Sequence, residues 1–169
     1  MKISKIIGLA LLAIGVFTFT SCTKELEDKL TEHETTAPHS AVKSMKITVY
    51  SWEWSGDEYG YYASKSAPII TSDIVNSGAV FCYYEQNYGN YVQMPITESA
   101  GQDLWIRHKL FDYETGYINF NFFDDDGASY NPGDCTFKVV TIESSKLKNS
   151  TNVDFKNYAE VKKAFNLAD

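Results

Sequence analysis

The residues whose types could carry chemistry are His108, the thiols Cys82 and Cys135, the run Asp124-Asp125-Asp126-Gly127, and an excess of rings: 12 Tyr, 10 Phe and 3 Trp in 169 residues. A general base needs an imidazole or carboxylate aimed at a proton. His108 alternates with Leu104, Ile106 and Leu110, so a hydrogen-bonded core or edge histidine is expected there. A Ser-His-Asp or Cys-His arrangement has only this residue to build on. His33 and His39 fall in a polar segment and read as solvated. Cys82 and Cys135 each lie in or at the start of an expected strand. Outside the cytoplasm they form a candidate disulfide if their Cα atoms come within about 7 Å, and otherwise behave as small apolar side chains. Asp124, Asp125 and Asp126, with Asn131 and Asp134 behind them, are a weak calcium candidate. Three consecutive acids lack the spacing of an EF-hand loop and alternate faces in a strand, so a solvated acidic turn is the expectation. No glycine-rich phosphate loop is present, and no cofactor is expected.

The rings suggest recognition. Tyr50, Trp52 and Trp54 share one face of a first strand, with Ile47 and Val49 on the other. Trp105 and Arg107 point away from the apolar row of their strand, and Tyr113 and Tyr117 flank a turn. Trp52, Trp54, Trp105, Arg107, Tyr113 and Tyr117 are therefore the candidate ligand contacts, because exposed rings stack on sugars and tyrosine-rich surfaces suit protein partners. Burial under a second sheet, a helix or loops is the alternative for the same rings.

From Met45 onward, short runs of Val, Ile, Thr, Tyr, Phe and Trp alternate with Gly, Asn, Asp and Pro. This predicts an all-β domain over 45–169, an antiparallel β-sandwich of about seven strands with a short C-terminal helix. The strands are expected at 46–54, 59–66, 79–86, 91–94, 102–110, 117–123 and 135–143. Thr71 caps a single turn through Ser72–Asn76, ended by Gly78. Asp154 is the expected N-cap of a helix over 155–166, with Phe155, Tyr158, Ala159, Lys162 and Phe165 at helical spacing. Segment 144–152 reads as a loose connection.

One hairpin allows a register to be derived. Leu104, Ile106 and Leu110 form an even-numbered apolar row, and so do Ile118, Phe120 and Phe122. Both rows face one core only if paired numbers sum to an even value. A three-residue loop, Glu114-Thr115-Gly116, does this by pairing Tyr113 with Tyr117. A two-residue loop puts one row in water.

Residues 1–21 carry Lys2 and Lys5, then an apolar stretch from Ile6 to Phe19. At about 14 residues this is shorter than the ~20 a membrane span needs, and it reads as a secretory signal peptide. Phe19-Thr20-Ser21-Cys22 resembles the bacterial lipobox, with Phe19 in place of the usual Leu, which implies lipid attachment at Cys22. Residues 22–44 read as the lipidated cysteine and a flexible tether without aromatics. The acidic run Lys24-Glu25-Leu26-Glu27-Asp28 is similar to the surface-export signal of Bacteroidota lipoproteins. The expected location is the outer membrane, lipid-anchored, with surface exposure implied by that run. The partner is then the membrane, through acyl chains on Cys22. The formal charge of −7 argues against a nucleic-acid backbone or an anionic lipid surface as a further partner.

Within the domain, Ala67-Pro68-Ile69-Ile70-Thr71, Asp73-Ile74-Val75-Asn76-Ser77-Gly78-Ala79-Val80, Tyr83-Tyr84, Val92-Gln93-Met94-Pro95 and Phe137-Lys138-Val139-Val140 resemble a pattern of small secreted and outer-membrane lipoproteins of Bacteroidota. Met94 departs from the usual Leu. The resemblance covers about residues 46–143. It implies an all-β domain carried on an anchor and brings no catalytic residue. The function expected is a non-catalytic interaction domain with an unspecified protein or glycan partner. A glycan-binding surface lipoprotein using exposed Trp and Tyr is one alternative. A small extracytoplasmic hydrolase, which needs a cleft gathering His108 with carboxylates, is the other.

Overall fold

The computed structural model describes residues 41–56, 59–100, 105–127 and 130–168. The expected signal peptide, Cys22, nearly all of the expected tether, His33, His39 and Leu104 lie outside the described residues.

Nine strands form two antiparallel sheets. Sheet A runs β1 (Val42–Val49), β9 (Cys135–Ile142), β4 (Ala79–Asn87), β5 (Asn90–Gln93). Sheet B runs β2 (Glu53–Ser55), β3 (Gly60–Ala67), β8 (Gly116–Asp124), β7 (Trp105–Glu114), β6 (Ile96–Ala100). Alternation assigns the faces. In β1 and β9 the odd residues Met45, Ile47, Val49, Phe137 and Val139 meet Ala63, Ile118, Phe120 and Phe122 of sheet B in one core, where Phe120 stacks on Phe137 at 3.9 Å. This is the all-β sandwich that the strand-rich texture predicts.

The even residues of β1 and β9 face the other way, and sheet A needs a second cover. The C-terminal segment supplies it. Val42, Tyr83, Val140 and Ile142 pack against Tyr158 and Val161, with Phe81 stacked on Phe155 at 4.5 Å. Helix α3 (Tyr158–Phe165) starts at Asn157, whose side chain accepts from the amides of Ala159 and Glu160. It starts three residues later than the expected cap Asp154, whose carboxylate instead accepts from Lys156 N in the turn before it. Segment 144–152 is not wholly loose, because α2 (Ser144–Lys148) forms there. The turn capped by Thr71 is α1 (Ser72–Ser77), and it ends at Gly78 as expected.

Two differences from the expected strands matter for function. The first predicted strand breaks after Val49 because the chain crosses from sheet A to sheet B between Tyr50 and Trp52. The extra edge strand β6 lies in Ile96-Thr97-Glu98-Ser99-Ala100, too polar to read as a strand.

The larger correction is the β7–β8 register. Glu114 pairs with Tyr117 and Tyr113 with Ile118, so the turn has two residues, Thr115 and Gly116, with Gly116 at φ +83°. The even row of β7 (Ile106, His108, Leu110) is thereby turned outward, and Ile106 is exposed. The odd row (Arg107, Lys109, Phe111) faces the core opposite Asp124, Phe122 and Phe120. Charge pairing explains why an inward row can hold Arg and Lys. Arg107 forms a bidentate pair with Asp124 at 2.8 and 2.9 Å. The Lys109 ammonium lies 2.6 Å from Glu98 and 4.4 Å over the Tyr84 ring of the facing sheet.

Candidate binding face

The six ring and arginine candidates do not form one surface. Trp52 is buried between the sheets, donating to Gly133 O at 2.7 Å and lying 4.8 Å from Phe122. Trp54 is exposed at the β2 edge, edge-on to Tyr61 at 5.1 Å. Trp105 is exposed at the start of β7. Arg107 is held by Asp124, with the Tyr130 ring 3.6 Å from its guanidinium. The hydrogen bond to Asp124 raises its pKa further, so it stays a cation. Tyr113 and Tyr117 are not opposite each other, and their side chains leave opposite faces of sheet B.

The thiols are unbridged. Cys82 pairs with Val139, whereas Cys135 opens β9 opposite Val49. Four residues of strand, about 13 Å, separate the two positions, beyond the reach of a disulfide. Cys82 Sγ instead touches Met94 Sδ at 3.7 Å. Burial pushes the Cys82 thiol up, and it pushes Cys135 up to about 11, against the opposing effect of its hydrogen bond with Tyr84. Both are protonated, poor nucleophiles at neutral pH.

The three aspartates diverge. Asp124 turns inward to Arg107, while Asp125 Oδ1 accepts from Ile106 N at 3.0 Å and its own amide donates to Ile106 O at 3.0 Å. Among the described residues no group of three or more His, Cys, Asp or Glu is placed to hold a metal ion. His108 is half-buried on the outward face, stacked on Phe123 at 4.8 Å, with Nδ1 3.4 Å from Thr97 Oγ1.

That outward face of sheet B is the surface that sequence reading missed. No element among the described residues covers it, and its cross-strand rows are chemically ordered. Thr97, His108 and Phe123 form one row. Leu110, Asn121, Tyr62 and Glu53 form the next. Asp112, Asn119 and Ser64 form a third. The Tyr62 hydroxyl donates to Glu53, and that bond to a carboxylate raises the phenol's pKa. Asn119 Nδ2 donates to Asp112 Oδ1 at 2.6 Å. A groove of about 360 Å³ runs here, lined by Ser55, Tyr62, Asp112, Asn119, Phe120 and Asn121. Amides, carboxylates and a phenol thus sit beside a ring and an aliphatic side chain on a rigid sheet. Such a surface can hydrogen-bond a hydroxyl-rich or peptide ligand while offering apolar contact. The signal available in sequence is the alternation Tyr117-Asn119-Asn121 in β8, opposite the apolar row Ile118, Phe120 and Phe122.

The chain matches no protein-family model, no curated protein and no solved structure.

Proposed function

We propose that the chain is an outer-membrane lipoprotein, anchored through Cys22, whose β-sandwich binds a partner without transforming it, using the outward face of sheet B. One observation carries this reading. The sandwich covers the outer face of sheet A with its own C-terminal segment and leaves that of sheet B open, polar and ordered in rows. His108 lies on that face against Phe123 and Thr97, an environment that supplies it with stacking and a hydroxyl.

A glycan is the ligand class best matched to the groove. Paired amide and carboxylate groups present donors and acceptors to hydroxyls, and His108–Phe123 with Leu110 give apolar contact. Trp52 is buried, so Tyr62 and the His108–Phe123 stack offer the rings for stacking. The test is a glycan array with residues 23–169, which contain every member of both hydrophobic clusters. Binding that Asn119→Ala or Tyr62→Ala weakens by about tenfold supports the reading, as expected from losing one well-made polar contact. Absence of binding, or binding indifferent to both substitutions, overturns the glycan reading. Anchoring is tested separately, by the mass of the mature N-terminus and by membrane release of the Cys22→Ala protein.

A further inference from the structure

The formal charge of −7 averages two unlike sides of the domain. The outward rows of sheet B hold Glu53, Asp112 and Glu114 and no lysine or arginine, because Arg107 and Lys109 face the core. The C-terminal layer over sheet A is opposite in sign. Residues 144–168 contain Lys146, Lys148, Lys156, Lys162 and Lys163 but only Asp154 and Glu160. Lys146 and Lys148 occupy the last turn of α2, and Lys162 and Lys163 the last turn of α3, where they complement the helix dipoles. Lys146, Lys148 and Lys163 are exposed.

The two helix ends meet at the point where the chain enters the domain. Glu143 N donates to Ala41 O at 2.9 Å, which ties the start of β1 to the residue preceding α2. A cleft of about 320 Å³ opens beside it, lined by Ala41, Val42, Lys146, Ala164, Phe165 and Asn166. Its apolar part is Val42, Ala164 and Phe165. The Lys146 ammonium lies 5.9 Å from the Phe165 ring, so the lysine stem runs along the apolar wall with its charge at the rim.

We infer that this basic end, with its apolar cleft, docks on an anionic phospholipid surface. Two observations select that occupant. One is charge: Lys146 at the rim of the apolar cleft, with exposed Lys148 and Lys163 in the last turns of the helices that border it, complements phosphate headgroups above acyl chains. The other is position: the segment leading to Cys22 leaves from the cleft itself. Eighteen residues, 23 to 40, lie between Cys22 and Ala41, which are therefore at most about 65 Å apart along the chain, so an acylated Cys22 would raise the effective concentration of this end at the bilayer. The inference therefore rests on the anchor reading for its biological setting, while its chemistry does not. Docking by this end leaves the acidic, uncovered face of sheet B on another side of the domain, available to a ligand.

The experiment uses unacylated residues 23–169 and sedimentation with vesicles of phosphatidylcholine, with or without phosphatidylglycerol. Binding is expected only to the phosphatidylglycerol vesicles, and it should weaken as salt screens the lysines. Lys146→Glu with Lys163→Glu should lower it about tenfold or more, and Lys146→Gln with Lys163→Gln should fall between. Both lysines are exposed, so unchanged circular dichroism and unfolding midpoint are expected for both variants. Equal binding to neutral vesicles, salt-insensitive binding, no binding, or full binding by the Glu variant overturns the inference. If anionic vesicles bind the domain while Cys22 proves unacylated in cells, the anchor reading fails and the docking surface stands.

Discussion

Asp124 is 4 % exposed and faces the Arg107 guanidinium through two parallel hydrogen bonds. Arg107→Ala takes the bidentate cation from that buried carboxylate, and chemical denaturation should register a loss of about 3 kcal/mol. Arg107→Met combined with Asp124→Leu removes both charges and should recover most of the loss; a double variant as unstable as the single would show that the pair contributes more than mutual compensation. A second residue-level consequence concerns alkaline pH. Burial raises the Cys135 thiol from 9.0 to about 11 and the Tyr84 phenol from 10.0 to about 12. The folded chain holds these protons where the unfolded chain releases them. Stability from these groups is therefore fully present below pH 9.0 and is lost as pH rises through about 11 and 12. Urea midpoints should fall across that window, and less steeply in Tyr84→Phe. A midpoint that is flat or rises there would contradict the assignment.

At the scale of elements, the β7–β8 turn decides which chemistry sits on the outward face of sheet B. Gly116 sits at φ +83°, and a Cβ added there meets nothing within 4 Å. Gly116→Val should thus cost about 1–2 kcal/mol from backbone conformation alone, read as a lowered thermal midpoint; an unchanged midpoint would mean that the turn relaxes to another type. The same hairpin shows what sequence could and could not reveal. Inward Ile118, Phe120 and Phe122 of β8 were legible because the strand is half-buried and alternates cleanly. In β7 both rows carry apolar and charged residues, and hydropathy chose the even one. The deciding information was pairwise: Arg107 needs Asp124, Lys109 needs Glu98 and the Tyr84 ring, and these partners are far apart along the chain. For the same reason the outward face of sheet B is not legible in any one strand. Its rows combine Glu53, Tyr62, Asn121 and Leu110 from four strands, and no single strand displays the pattern. Helix α1 and its Thr71 cap were legible because capping is local.

On the scale of the whole molecule, residues 154–168 are structural. They cover Tyr83, Val140 and Ile142, so a chain truncated before Asp154 should expose a continuous apolar sheet face. Such a chain is expected to sediment as aggregate or bind a hydrophobic dye, whereas the intact one stays soluble and dye-negative. Strand β1 illustrates a related constraint. Its sole ladder partner among the described strands is β9, and Val42 sits opposite Ile142, one hundred residues further on. A polypeptide threaded N-terminus first through a ribosome or a translocation pore presents β1 long before β9 exists. Closing so distant a contact is entropically slow. The topology therefore postpones the pairing of β1 until β9 is present, and the four-stranded sheet cannot be completed before that strand has been made.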